Sequence, residues 1–204
     1  MLIKVCGMRS ASNIREVERL GIDMMGFIFY DKSPRYVARK PEYLPSSCSR
    51  VGVFVNSTLA DTVYHVHDFG LDFVQLHGNE SLEYARTLRR ELPCGVRMIR
   101  AVQVRSREDA SEASLWDGTA DLLLFETPSG QYGGTGTPFD WEMLHGYAGR
   151  TPFLIAGGIA PGNAAKAKAF SHPSFLGVDL NSKFESEPGL KDVAVLQKFI
   201  DKLK

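Results

Sequence analysis

The chain has 204 residues, enough for one domain with a full hydrophobic core or at most two small ones. Lys+Arg and Asp+Glu both number 24, so the formal net charge is zero; that argues against a general nucleic-acid or membrane-surface binder and leaves room for a local basic patch holding a phosphate. Cys6, Cys48 and Cys94 have neither metal-ligand spacing nor a disulfide framework, no leader-like apolar core opens the chain, and no apolar run approaches the ~18 residues of a membrane span, so a cytoplasmic protein is expected.

In chain order, Leu2 to Cys6 reads as a short strand interrupted only by Lys4 and ended by Gly7. Ser10 or Ser12 caps a helix with apolar residues at Ile14, Val17 and Leu20, closed by Gly21. Met24 to Phe29 is a second strand; the loop after it contains Ser33-Pro34-Arg35-Tyr36, and a weak helix is expected around Pro41 to Leu44. Val51 to Val55 is the third strand, with a helix stripe at Leu59, Val63 and Val66. Phe73 to Leu76 is the fourth, running into His77-Gly78, with a stripe at Leu82, Ala85, Leu88 and Leu92. Val96 to Val102 and a helix over Arg107 to Trp116 make the fifth unit. Leu122 to Phe125 is a continuous apolar strand ending on Glu126; a loop follows with glycines at 130, 133, 134 and 136, then a helical pattern over Trp141 to Tyr147. Phe153 to Ala156 ends in Gly157-Gly158, and Pro161-Gly162-Asn163 opens a helix to Phe170. Phe175 to Leu180 ends in Asn181-Ser182, and Leu190, Val193, Leu196, Ile200 and Leu203 line a last helix.

Strict alternation of strand and helix requires parallel strands, because parallel neighbours need a crossover. Eight such units predict an α/β protein with a single closed (β/α)₈ TIM barrel over residues 1–204, compact for that fold; a doubly wound open sheet is the alternative. A barrel gathers the strand ends on one face. Cys6, the loop with Arg35, Asn56, His77, Arg100, Glu126, Gly157-Gly158 and Asn181-Ser182 should therefore meet there. Each has a plain alternative: a small buried hydrophobe for Cys6, a surface charge for Arg35, a strand cap for His77, a tight turn for Gly157-Gly158. The loops after strands seven and eight are where this fold commonly holds phosphate, and glycine lets backbone N–H groups approach an anion, so a phosphorylated small molecule is the first expectation. Cys6 and Glu126, on different strands, suit proton transfer without a metal; a thiolate base needs a depressed pKa, and a raised pKa at Glu126 would let it act as an acid.

At these residues the chain resembles the phosphoribosylanthranilate isomerase family. The matching segments are Lys4-Val5-Cys6-Gly7-Met8, Gly26-Phe27-Ile28-Phe29 with Ser33-Pro34-Arg35-Tyr36, Val51-Gly52-Val53-Phe54-Val55-Asn56 and Val74-Gln75-Leu76-His77-Gly78. They continue with Tyr132-Gly133-Gly134-Thr135-Gly136, Phe139-Asp140-Trp141, Ala156-Gly157-Gly158-Ile159 and Gly177-Val178-Asp179, spanning nearly the whole chain. The resemblance implies a cofactor-free Amadori rearrangement of N-(5-phosphoribosyl)anthranilate to 1-(2-carboxyphenylamino)-1-deoxyribulose 5-phosphate in tryptophan biosynthesis. It implies Cys6 as general base, Glu126 as general acid and Arg35 on the anthranilate carboxylate. Further substrate contacts are implied at His77, Gly133, Gly134, Gly157, Gly158, Asp179, Asn181 and Ser182, with no metal.

Two departures stand out: Glu126 falls where the family usually has Asp, and Lys183 replaces a glycine in the strand-eight loop, where it offers a cation. The phosphoribosyl substrate is the expected partner, with no nucleic acid or membrane, in a monomer or homodimer. A histidine-pathway phosphosugar isomerase is the runner-up, but that family pairs two aspartates and strand one here ends in Cys6. A barrel that only binds phosphorylated ligands would keep the glycines and Arg35 and need neither Cys6 nor Glu126.

Overall fold

A computed structural model of the chain describes residues 1–126 and 140–204. Eight parallel strands close a barrel in sequence order, β8 pairing back onto β1: β1 (Leu2–Val5), β2 (Met24–Phe29), β3 (Ser49–Phe54), β4 (Phe73–Leu76), β5 (Arg97–Gln103), β6 (Leu122–Glu126), β7 (Phe153–Ile155) and β8 (Phe175–Leu180). Helices α1 (Ala11–Glu18), α2 (Leu59–Phe69), α3 (Leu82–Glu91), α4 (Arg107–Glu112), α5 (Ala164–Ala169) and α6 (Val193–Leu203) pack outside. The closed ring excludes the open-sheet alternative.

Side-chain alternation along each strand decides what faces inward. Ile3, Val5, Met25, Phe27, Leu123, Phe125, Val178 and Leu180 belong to the outer core, between sheet and helices. The alternate set, Met24, Val51, Phe73, Ile99, Leu122 and Leu154, fills the barrel's lower interior. Two residues further along each strand the same inward positions are Lys4, Gly26, Val53, Gln75, Ala101, Leu124, Ala156 and Asp179; two further still they are Cys6, Ile28, Val55, His77, Gln103, Glu126 and Asn181. The polar residues of the chain's barrel interior therefore collect in its upper layers by period alone.

Three expectations change. No helix forms over residues 41–44. Pro41 and Pro45 bracket the segment, and a residue before proline is steered away from helical backbone. Glu18 instead ties this stretch to α1, accepting from Tyr43 Oη at 2.5 Å and from the Ser46 and Ser47 backbone at 2.6 and 2.7 Å. Leu190 is not in the last helix: Glu185–Glu187 (β9) and Leu190–Lys191 (β10) form an antiparallel hairpin, and α6 starts after Asp192, whose side chain accepts from Val195 N–H. The pattern over Trp141 to Tyr147 forms a 3₁₀ turn, Trp141–Gly146.

Candidate active site

The upper layers line a cavity of about 540 Å³ at the C-terminal mouth of the barrel. Cys6, Arg35, His77, Glu126, Gly157, Asp179, Asn181 and Ser182 all face it, so most of the residues singled out from sequence are brought together. Gly158 sits beside the lip in left-handed backbone (φ +73°), its carbonyl accepting from the Asn163 amide. Gly133 and Gly134 lie outside the described residues. Asn56 and Arg100 belong to a neighbouring cluster instead. Glu80 accepts from Asn56 N–H at 2.7 Å, Gly78 N–H at 2.9 Å and the Arg100 guanidinium at 2.8 Å, binding the chain after β3 and β4 to β5.

Cys6 continues β1 and is buried. The space for its sulfur depends on Gly26 of the adjacent strand: a Cβ there would lie 2.6 Å from Cys6 Sγ. Below it, Lys4 is wholly buried and pairs with Asp179 at 2.8 Å, the two residues being register partners across β1 and β8. Burial works against the Lys4 charge, but Asp179 and the Cys6 sulfur outweigh it and hold the ammonium above its ordinary value. The thiol does not show the depressed pKa expected of it. Burial pushes Cys6 up, and the cations Lys4 and Lys191 only partly offset that because the Asp179 carboxylate opposes them. In the resting site Cys6 is a thiol.

The Glu126 carboxyl is raised, in the direction expected. Burial, then the negative charge of Asp179, raise its carboxyl to about 7, against weaker pulls from Gln103, Lys4 and Arg100. Its nearest charged-group partner is His77, with Nε2 3.3 Å from Glu126 Oε2. His77 Nδ1 meets the Gln75 amide nitrogen at 3.0 Å, so Nδ1 accepts and Nε2 carries the proton toward Glu126. Burial, with Lys4 and Arg100 nearby, lowers His77 to about 4, so the imidazole is neutral at neutral pH. A neutral donor leaves Glu126 without a counter-cation.

Arg35 lines the cavity mouth with its guanidinium edge engaged: Nε lies 2.9 Å from both Glu185 carboxylate oxygens and Nη2 lies 2.6 Å from Oε2. Nη1 makes no hydrogen bond among the described residues, leaving the Nη1/Nη2 end for a second carboxylate. Gly7 makes room here, since a Cβ on it would meet Arg35 Cδ at 2.6 Å. Lys183, noted from sequence as an added cation, is exposed and does not line the cavity.

Sequence reasoning passed over Gln75, Gln103, Glu185 and Lys191. For Gln75 and Gln103 a signal was present, a polar residue at an inward position of an apolar strand, as it was for Lys4. Among the described residues no group of three or more His, Cys, Asp or Glu side chains is arranged to hold a metal ion.

Residues 3–202 match the family model described as N-(5'phosphoribosyl)anthranilate (PRA) isomerase. The chain belongs to the phosphoribosylanthranilate isomerase family. As a member it is an isomerase of tryptophan biosynthesis. A relative from Phocaeicola vulgatus, an N-(5'-phosphoribosyl)anthranilate isomerase, is 44% identical over 204 residues, covering 100% of this chain and 98% of its own length. One from Parabacteroides distasonis, of the same name, is 46% identical over 209 residues, covering 100% and 93%. A crystal structure of phosphoribosyl anthranilate isomerase in complex with reduced 1-(o-carboxyphenylamino)-1-deoxyribulose 5-phosphate superposes with a TM-score of 0.81 at 28% identity, covering 100% of this chain and 98% of that one.

Proposed function

We propose that the barrel over residues 1–204 is one catalytic unit that carries out the family's Amadori rearrangement with Glu126 as general acid and Cys6 as general base. The observation that carries the assignment is the pair itself: a carboxyl held at about 7 and a buried thiol, facing one cavity from different strands. Glu126 delivers a proton to the furanose oxygen of N-(5-phosphoribosyl)anthranilate as the C1–O bond breaks and the anthranilate nitrogen forms a Schiff base to C1. The cationic imine acidifies the C2 proton, which Cys6 removes in its thiolate form, the minor form of the resting site. The enolamine then gains a proton at C1 as its C2 hydroxyl loses one, giving the ketone, and no atom is gained or lost overall.

Arg35 binds the anthranilate carboxylate end-on, in the bidentate geometry that guanidinium favours. Gly157, Gly158, Asn181 and Ser182 hold the phosphate through backbone N–H groups and short polar side chains, in the loops after β7 and β8. Gly133 and Gly134, outside the described residues, are read as substrate contacts on the family resemblance alone. His77 and Asp179 contact the sugar end and set the charge around Glu126. The protein works in the cytoplasm as a monomer or homodimer.

The test is steady-state kinetics of Cys6→Ala and Glu126→Gln with freshly made phosphoribosylanthranilate, followed by its loss of fluorescence, beside product titration. Each variant should lose about 10²–10⁴ in kcat while product binding stays close to wild type. Near-normal turnover in either variant removes that residue from its role.

A further inference from the structure

The carboxylate end of the cavity contains a buried charge cluster whose sum is not evident from Arg35 alone. Arg35 is already paired with Glu185, so those two residues together carry no net charge. Behind Glu185 stands Lys191, whose side chain is wholly buried and whose Nζ lies 2.6 Å from Glu185 Oε1 and 2.8 Å from Asn181 Oδ1. The lysine is held from two directions. Asn13 of α1, itself buried, clamps its backbone by accepting from Lys191 N–H at 2.8 Å and donating to Lys191 O at 3.0 Å. The β9–β10 hairpin brings Glu185 and Lys191 together as register partners. Burial pushes the Glu185 carboxyl up, but hydrogen bonds from Arg35 and Lys191 outweigh it and keep the group below its ordinary value; burial also lowers Lys191, with the hydrogen bond and charge of Glu185 pulling its ammonium back up.

We propose that Lys191 is a positioning residue that supplies the surplus positive charge of this cluster, so that Arg35, although neutralised by Glu185, still attracts the substrate's carboxylate. This rests on the reading of Arg35 as the carboxylate anchor. With Arg35 and Lys191 positive and Glu185 negative, the cluster carries one net positive charge, and the incoming carboxylate brings it to zero. Without Lys191, Glu185 would repel the carboxylate about as strongly as Arg35 attracts it. Lys191 also fixes the Asn181 amide, whose oxygen turns to the ammonium and whose nitrogen is left to donate elsewhere.

The experiment compares binding of the product with that of its phenylamino analogue, which keeps the phosphate and sugar but lacks the carboxylate. Lys191→Met should weaken the product by roughly tenfold and the analogue by no more than about twofold. Lys191→Gln retains a neutral donor toward Glu185 and Asn181, and gives the same discrimination if the methionine variant fails to fold. The double variant Lys191→Met/Glu185→Gln returns the cluster to one net positive charge and should recover most of the product affinity. Equal losses for both ligands would place the lysine's effect at the phosphate or in the fold and overturn the proposal; so would unchanged product affinity, or a folded double variant without recovery. Arg35→Met separates the two readings. If it discriminates between the ligands and the Lys191 variants do not, the anchor stands and Lys191 has no part in it; if it does not discriminate, the anchor reading fails and the proposal with it.

Discussion

Glu126→Gln should make the protein more stable while making it inactive, and the gain should depend on pH. The ordinary carboxyl value is 4.5 and in the folded site it is about 7. At ~1.36 kcal/mol per pH unit that gap corresponds to about 3 kcal/mol, reduced to roughly 2 because solvent still reaches part of the side chain. The sign follows from which state binds the proton more tightly, here the folded one. Below 4.5 the carboxyl is protonated in both states and costs nothing. From 4.5 to about 7 the unfolded chain ionises freely while the folded site resists, so stability falls as pH rises. Above 7 the folded protein carries the full cost of a buried carboxylate without a counter-cation. Glutamine is neutral throughout and escapes that cost. Urea unfolding of wild type and variant at pH 8 and pH 4.5 should therefore show the variant ahead by about 2 kcal/mol at the higher pH and near parity at the lower. Contributions from other carboxylates cancel between the two proteins. An equal difference at both pH values, or a variant weaker at pH 8, would show that Glu126 is not held protonated by its site.

Gly26→Ala should lower both kcat and stability, because its Cβ would fall 2.6 Å from Cys6 Sγ and 3.1 Å from the Cys6 backbone and push the sulfur away from the C2 proton; a ~1 Å displacement can cost about 10²-fold, and unchanged kcat would mean that the thiol's position is not critical. Because the acid must be protonated and the thiol ionised, the active form is a minor one, and its fraction rises up to about pH 7 where Glu126 titrates, levels off, and falls beyond the alkaline range where Cys6 ionises; wild-type kcat/KM should follow that profile. Glu126→Gln should remove the break near pH 7 and the alkaline fall, leaving residual activity that rises steadily into the range where Cys6 ionises, and a break near 7 that persists in that variant would belong to another group.

Much of this was legible in the sequence because it depends on period and position. Eight apolar runs separated by helical stripes fix a parallel barrel, and the barrel carries Cys6, His77, Glu126, Gly157 and Asn181 to one mouth. Glu126 at the end of an all-apolar strand had to be either exposed or perturbed, and closure of the barrel decides for perturbed. The Cys6 thiol went the other way because burial is a property of the assembled site: Asp179 was named from the sequence as a substrate contact, but nothing in the chain placed its carboxylate, or Lys191, beside the sulfur. The hairpin holding Glu185 and Lys191 was hidden for a related reason. Leu190 fits the apolar stripe of α6 by spacing, and only the side-chain cap from Asp192 shows where that helix begins.

Long-range pairing also explains why Glu126, of the acidic groups around this cavity, is the one suited to give up a proton. Asp179 has Lys4 at 2.8 Å, Glu185 has Arg35 and Lys191 at 2.6 Å each, and Glu80, one step outside, has Arg100 at 2.8 Å. Each of these carboxylates has an ammonium or guanidinium against it; at Glu185 the two cations hold the group below its ordinary value, while at Asp179 burial outweighs the Lys4 ammonium and leaves the carboxyl raised. Glu126 has His77 at 3.3 Å, and that imidazole is kept neutral by the burial and the cations that surround it. The same cations therefore act twice. Lys4 and Arg100 pair with Asp179 and Glu80 directly, and together with burial they keep His77 uncharged, which takes one counter-ion from Glu126 while their own charges pull weakly the other way. Burial and the negative charge of Asp179 therefore raise the Glu126 carboxyl to about 7, and no ammonium or guanidinium among the described residues lies against it to bring it back down.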